Sequence, residues 1–259
     1  MGGTWRFTRC LATSFPATPT GRATGSFTID CSRGQSGSAC LVAASRETAH
    51  AGQAIYSPLV LAIYDFAILG ISNHLLWRCP TAELRALYDR NIGPRHLDIG
   101  VGTGYFLDRA HWPMPNPDIT LVDLNPNSLA AAARRIARFH PTTVRANALE
   151  PLPDLGRFSS IGLCYLLHCL PGSIATKSVL FDHLKGLLTP GGRIFGATIV
   201  EDGQRGWIAE RLLALYNAKG VMTSRADYRH DLQRALEATF GDVCVAMKGT
   251  VAVFEARAR

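Results

Sequence analysis

The sequence is short of the features that usually commit a chain to a class early. Its seven cysteines include no C-x-x-C pair, and none stands at metal-ligand spacing from the eight histidines, so no zinc or other metal site is expected. An odd set (Cys10, Cys31, Cys40, Cys79, Cys164, Cys169, Cys244) scattered through apolar stretches reads as buried, reduced thiols and points to the cytoplasm, with disulfides not expected. No block of like charge is present. The net charge of +7 divides into +3 over residues 1–50 (five arginines against Asp30 and Glu47) and +4 over the rest (22 basic against 18 acidic side chains), which requires no nucleic-acid partner. No apolar run reaches the roughly 20 residues of a membrane span. The most apolar segment, residues 54–77, is divided by Pro58 and Gly70 and carries Asp65, a charge that would cost roughly 3 kcal/mol in lipid.

Residues 1–50 hold only two acids, no lysine and no sustained apolar period, while Ser and Thr supply fourteen of the fifty. Such a composition cannot bury enough surface to fold, and a disordered extension is expected, with an organelle leader the weaker alternative. No 7–15-residue apolar run follows the first basic residues, which argues against a secretory signal. Over 51–93 the pattern changes. Ser57-Pro58 opens a helix that Gly70 closes, a short helix follows at 73–78, and Thr81 caps a third that runs to about Arg90. These make an N-terminal helical cap ahead of the first strand.

The remaining residues, 94–259, turn on one stretch, HLDIGVGTGYFL at 96–107. An apolar strand ends in Asp98, and Gly100, Gly102 and Gly104 then alternate into a helix-compatible segment. Glycines are needed where strand reverses into helix and where backbone must lie against a ligand. A dinucleotide fingerprint wants its third glycine where Tyr105 stands, and a carboxylate at 98 would repel a pyrophosphate but suit an ammonium. Strand and helix then alternate: a strand over 119–123 closed by Asp123, a helix opened by Asn125-Pro126, and strands over 142–147, 160–165 and 194–199. The helix to about Phe139 carries Arg134, Arg135 and Arg138 near its end, read as a solvated face that suits the dipole. A leucine-periodic helix places Leu180, Leu184, Leu187 and Leu188 on one face before the turn at Pro190-Gly191-Gly192. Helices over 207–217 and 227–240 flank a polar stretch, 218–225, read as a lid, and a hairpin over 242–247 and 251–256 closes the domain.

The D-x-G-x-G-x-G run, the LVDLNPNSL segment ending the second strand, and L-x-P-G-G before the fifth resemble the class I S-adenosylmethionine (SAM)-dependent methyltransferases, over about residue 54 to the end. The resemblance implies an α/β fold of the Rossmann-like class I type: a seven-stranded, mostly parallel sheet with a C-terminal antiparallel hairpin and an N-terminal helical cap. It implies SAM as cofactor, S-adenosylhomocysteine (SAH) as product, and no metal. By that resemblance Asp98 holds the methionyl ammonium and Gly100, Gly102 and Gly104 face the cofactor. Asp123, 23 residues beyond Gly100, grips the ribose hydroxyls, with Leu124 beside it. Asn147, standing where many relatives have an acid, accepts from the adenine amino group, Ala148 follows it, and Leu149 packs on the adenine face. Tyr165, ending strand four, meets cofactor and acceptor.

The activity implied is methyl transfer to a small, fairly apolar acceptor through O, N or C, by a monomer or homodimer in secondary metabolism. His168 is the expected general base, since imidazole titrates near neutrality and sits where the fourth strand opens. Tyr56, Tyr64, Asp65, Trp77 and His168 are expected to line the acceptor pocket. Three other readings stay open: an RNA or protein methyltransferase, a non-catalytic SAM- or SAH-binding module, and an NAD-dependent oxidoreductase. The place of an N/D-P-P-Y/F signature reads Tyr165-Leu166-Leu167-His168, which disfavours methylation of nucleobase amines.

Overall fold

A computed structural model describes residues 77–203, 206–218 and 222–259. The extension expected over 1–50 and the helix expected over 58–69 lie outside the described residues. So do Tyr56, Tyr64 and Asp65. Of the short helix expected over 73–78 only Trp77 and Arg78 are described; they are not helical, and Arg78 has φ 53°.

Helix α1 (Thr81–Asn91) leads into β1 (Arg95–Ile99), α2 (Tyr105–Arg109), β2 (Asp118–Asp123), α3 (Pro126–Arg135) and β3 (Thr142–Arg145). Then come β4 (Phe158–Cys164), α4 (Ile174–Lys177), α5 (Val179–Lys185) and β5 (Leu188–Ile199). The chain ends with α6 (Trp207–Ala218), α7 (Arg229–Thr239) and the hairpin β6 (Gly241–Lys248) and β7 (Val251–Arg257). The seven strands lie in the order β3-β2-β1-β4-β5-β7-β6; β7 is antiparallel to both neighbours and the other pairings are parallel. This is the seven-stranded arrangement expected.

Parallel strands covered on both faces need buried side chains on both, which is why β4 reads as a run over Ile161–Cys164, whereas in β1 the polar His96 and Asp98 are buried between Leu97 and Ile99. One core cluster includes Leu97, Ile161, Leu163, Leu180, Leu184 and Phe254, and a second includes Leu84, Leu121, Ile136, Phe195 and Val253. Helix α1 belongs to the second: Leu84, Leu87 and Tyr88 are buried against the sheet. Because β1 connects outward to β2 while its other neighbour β4 connects to β5, a crevice opens between β1 and β4 at their carboxyl ends.

Boundaries depart from the periodicity at two places, each for a local reason. The leucine-periodic helix stops at Lys185 and Leu188 starts β5, because the Leu187 carbonyl accepts from the Phe158 N–H (2.7 Å) and draws the chain into the sheet before Pro190. Strand β3 ends at Arg145, since Ala146 donates to the Asp123 carbonyl (3.3 Å) and Asn147 begins a turn. Arg135 and Arg138 are exposed but engaged, against expectation: Arg135 donates to Thr103 Oγ1 (3.0 Å) and Arg138 to Asp108 Oδ1 (2.6 Å). Cys79 and Cys164 are buried and Cys169 half-buried, and all three are free thiols.

The described part of the expected lid is fastened down. Thr223 donates its N–H to the His168 carbonyl (2.8 Å) and its hydroxyl to the Leu170 carbonyl. Lys177, its side chain 1% exposed, donates to the Thr223 carbonyl (3.0 Å) and to Asp227 Oδ2 (2.6 Å). Removing one partner of such a pair leaves a buried charge alone, whereas replacing both with apolar groups does not. Lys177→Met should therefore cost about 3–5 kcal/mol in urea unfolding, and Lys177→Met with Asp227→Leu should recover more than half of it. A single-variant loss under about 1 kcal/mol would show that the pair holds nothing.

Candidate active site

The crevice is built first by backbone. Gly100, Gly102 and Gly104 take φ of 74°, 52° and 73°, left-handed values that a side chain resists. The loop is pinned by Gly100 N–H donating to the Val122 carbonyl (2.9 Å) and Gly104 N–H to the Val101 carbonyl (2.9 Å). A Cβ on Gly100 would stand 2.8 Å from Leu166 Cδ1, and one on Gly104 would stand 3.0 Å from the Ala132 backbone, so those two glycines serve packing. A Cβ on Gly102 would meet nothing within 4 Å: its bare backbone borders open cleft, the cradle that a ligand needs.

Asp98 lines the cleft although it is only 3% exposed. The Tyr88 hydroxyl donates to its Oδ2 (2.8 Å), and His96 Nε2 lies 3.3 Å from the same oxygen. Burial, and then the Asp98 charge, push the Tyr88 phenol well above its usual range, so it stays protonated and donates. Cys164, also on the cleft wall, is pushed up by burial and by the same carboxylate, which keeps it an unreactive thiol.

Asp123 ends β2 and lines the cleft with Leu124 and Asn125. Its Oδ1 accepts from the Asn125 N–H (2.8 Å), while the Asn125 side chain caps α3 by accepting from Asn127 N–H (2.8 Å). Burial raises the Asp123 carboxyl from 3.8 to about 6, opposed by N–H groups of Asn125, Gly102, Val101 and Leu124. Asn147 and Ala148 line the far end. Asn147 Oδ1 accepts from Leu149 N–H (3.1 Å), so one of its lone pairs is already used. That turn rotates Leu149 onto the hydrophobic core and off the cleft wall, contrary to the expectation that it faces adenine.

At the end of β4 the wall is Tyr165, Leu166, Cys169, Leu170 and Pro171. Tyr165 has φ 60°, a left-handed value at which a non-glycine residue stores strain, and it is held there by its N–H donating to the Ala197 carbonyl (2.7 Å). His168, the expected base, sits one turn away and is not on the described wall. It is 3% exposed, its Nδ1 accepts from the Ile199 N–H (3.3 Å), and burial, reinforced by the Lys177 charge, lowers its pKa to about 3. Trp77, expected on the acceptor side, is buried in the core beside α1.

The described residues thus bring together an acid suited to an ammonium, bare glycine backbone, an acid suited to vicinal hydroxyls and a polar turn suited to a base edge, along one crevice. A family model described as a methyltransferase domain matches residues 97–194. The chain is 44% identical over 211 residues to the demethylluteothin O-methyltransferase of Streptomyces thioluteus, covering 79% of this chain and 90% of that protein. It is 41% identical over 212 residues to the physcion biosynthesis cluster O-methyltransferase of Aspergillus chevalieri, covering 79% and 94%. The chain belongs to the SAM-dependent methyltransferases.

Solved structures agree on the fold of this methyltransferase. The DhpI–SAH complex matches with a TM-score of 0.61 at 15% identity over 83% of this chain and 98% of that one, and the CurJ carbon methyltransferase matches with 0.61 over 80% and 61%. As a member of this family the chain takes SAM as its cofactor. Among the described residues no group of three or more His, Cys, Asp or Glu could hold a metal ion, and no helix is long and apolar enough to cross a membrane.

Sequence reasoning missed Tyr88 and His96, which contact Asp98, and, behind them on β4, Ser160, 2.8 Å from His96 Nδ1, and Gly162, which faces Asp98. His96 alone carried a signal, lying two residues before Asp98 on the same face of β1. The other three depend on how α1 and β4 dock. A testable consequence follows from Asp123: only its ionised form accepts from two ribose hydroxyls, and that form is lost as pH falls through about 6. Calorimetric affinity for SAH should fall about tenfold between pH 7.5 and pH 5. Asp123→Asn should be weaker severalfold at pH 7.5 and flat across that range; a flat wild-type profile would remove Asp123 from the ribose site.

Proposed function

We propose that this methyltransferase alkylates an oxygen, the acidic hydroxyl of a small aromatic or enolic acceptor, and does so without a metal. The sulfonium of SAM is already an activated electrophile, so the protein's task is placement. Asp98 takes the ammonium, the bare loop around Gly102 the methionyl and ribose segment, and Asp123 the two ribose hydroxyls. Asn147 Oδ1 and the Ala148 backbone take the adenine edge, with Leu124 beside the ribose. Tyr165 meets the reacting end of the cofactor on one side and the acceptor on the other.

The observation that carries the acceptor class is the wall at the end of β4. It offers Leu166, Leu170 and Pro171 with the rings of Tyr165 and Phe106, and the described lining contains no Lys, Arg, His or Glu. An uncharged, flat molecule suits it. The 44% and 41% identity to two O-methyltransferases over nearly their whole lengths supports oxygen as the atom methylated. His168 is a weak base at a pKa of about 3, and its Nδ1 is occupied. The acceptor therefore brings its own acidity, and the enzyme supplies in-line proximity between an ionised oxygen and the methyl carbon. His168 supports the turn that carries Cys169 and Leu170 to the wall.

Labelled SAM incubated with a panel of phenols and enols of graded acidity should put label on oxygen, and aniline or indole analogues should stay unlabelled. The midpoint of the kcat/KM profile against pH should move with the acceptor's own pKa. A midpoint fixed across the panel would demonstrate an enzyme base and overturn this account, and label found only on nitrogen or carbon would overturn the oxygen assignment.

A further inference from the structure

Asp98 is gripped from behind by groups arranged in a fixed donor order. Ser160 Oγ accepts from the Gly93 N–H (2.8 Å) and lies 2.8 Å from His96 Nδ1. His96 Nε2 lies 3.3 Å from Asp98 Oδ2, and Tyr88 Oη lies 2.8 Å from that same oxygen. The protons follow from elimination. A bare Nε2 would aim a lone pair at a carboxylate oxygen, two acceptors face to face, so Nε2 carries the hydrogen. On the neutral ring Nδ1 is then the acceptor of the Ser160 hydroxyl proton.

The rings leave these groups no freedom. His96 and Ser160 are wholly buried, and β4 sets Ser160 opposite His96 and Gly162 opposite Asp98. His96 stacks on Phe195 (centroids 5.8 Å, 23°), with Trp112 against it edge-on, and Tyr88 stacks on Phe106 (5.3 Å, 14°). A Cβ at position 162 would come 2.7 Å from Asp98 Oδ2 and 3.3 Å from the imidazole, so glycine is what lets the acid and the ring lie over β4. Both bonds fall on Oδ2, and the residue lines the cleft.

We propose that Tyr88, His96 and Ser160 are positioning residues that lock the Asp98 carboxylate in the one orientation that presents Oδ1 to the amino-acid end of the cofactor. The proposal rests on the SAM assignment. It makes affinity for that end of the cofactor depend on Ser160, a buried hydroxyl that does not line the cleft, two hydrogen bonds behind the acid. The acid's orientation, fixed in advance, removes an ordering cost from binding.

The test compares SAH with 5′-methylthioadenosine, which keeps adenine, ribose and thioether but lacks the amino-acid end, by calorimetry on the full chain. Tyr88→Phe should weaken SAH about tenfold, as expected for loss of one hydrogen bond to a charged group, and Ser160→Ala about threefold. Both should leave methylthioadenosine within about twofold of wild type. In an Asp98→Asn background Tyr88→Phe should add nothing. If both variants lower the two ligands alike, or leave the ratio of their affinities at the wild-type value, the positioning role is overturned. Should Tyr88→Phe fail to fold, Ser160→Ala decides alone. Wild-type protein that binds methylthioadenosine but not SAH would instead bring down the assignment of Asp98 to the ammonium, and protein that binds neither would bring down the cofactor reading.

Discussion

A carboxylate withdrawn almost entirely from water must be compensated, because a buried charge without partners is far more costly than any single contact is worth. Asp98 is in that condition, and much of the surrounding architecture can be understood as its compensation. Helix α1 docks where Tyr88 can donate to it, β1 places His96 on the same face, and β4 gives up a side chain at Gly162 to make room. A cofactor with a cationic head completes the set. The same acid that makes the empty site costly makes the filled site specific, since a pyrophosphate at this place would meet repulsion where an ammonium meets attraction.

The second acid differs in kind. Asp123 sits at the tip of its strand, fed by loop N–H groups, with a carboxyl raised to about 6 by burial. In the proposed reading the two acids divide recognition: one for a charge, the other for a pair of hydroxyls. Between them runs the glycine loop, bare at Gly102, where a Cβ would meet nothing within 4 Å. Beyond them, the end of β4 carries a strained Tyr165 and apolar neighbours. On the proposed assignment, recognition of cofactor is polar and that of acceptor largely apolar, which would let one scaffold keep its donor while its acceptors vary.

Much of this was legible in the chain because it is local. The acids at the ends of β1 and β2, the alternating glycines and the Asn125-Pro126 helix start all write themselves into a few consecutive residues, and the resemblance they carry implied the mostly parallel sheet with its terminal hairpin. The failures have a common cause in rotation or register. Three residues of 3₁₀ helix, Leu167–Cys169, turn His168 inward to Ile199 while carrying Cys169 and Leu170 to the wall. A two-residue turn at Asn147 swings Leu149 into the core. Ser160 meets His96 only because β4 docks on β1 in one alignment, and no local pattern within either strand encodes that alignment. Burial also lowers the imidazole of His168 far below the range its residue type suggests.

The strand order has a consequence for how the molecule is made. Strand β7 comes last in the chain, yet it occupies an interior lane, joining β5 on one side and β6 on the other. Among the described residues strand β6 pairs with β7 alone, so during vectorial synthesis it waits until those residues emerge. Assembly of that flank is therefore a late, non-local event, and a truncation removing only residues 251–257 would strand eight more.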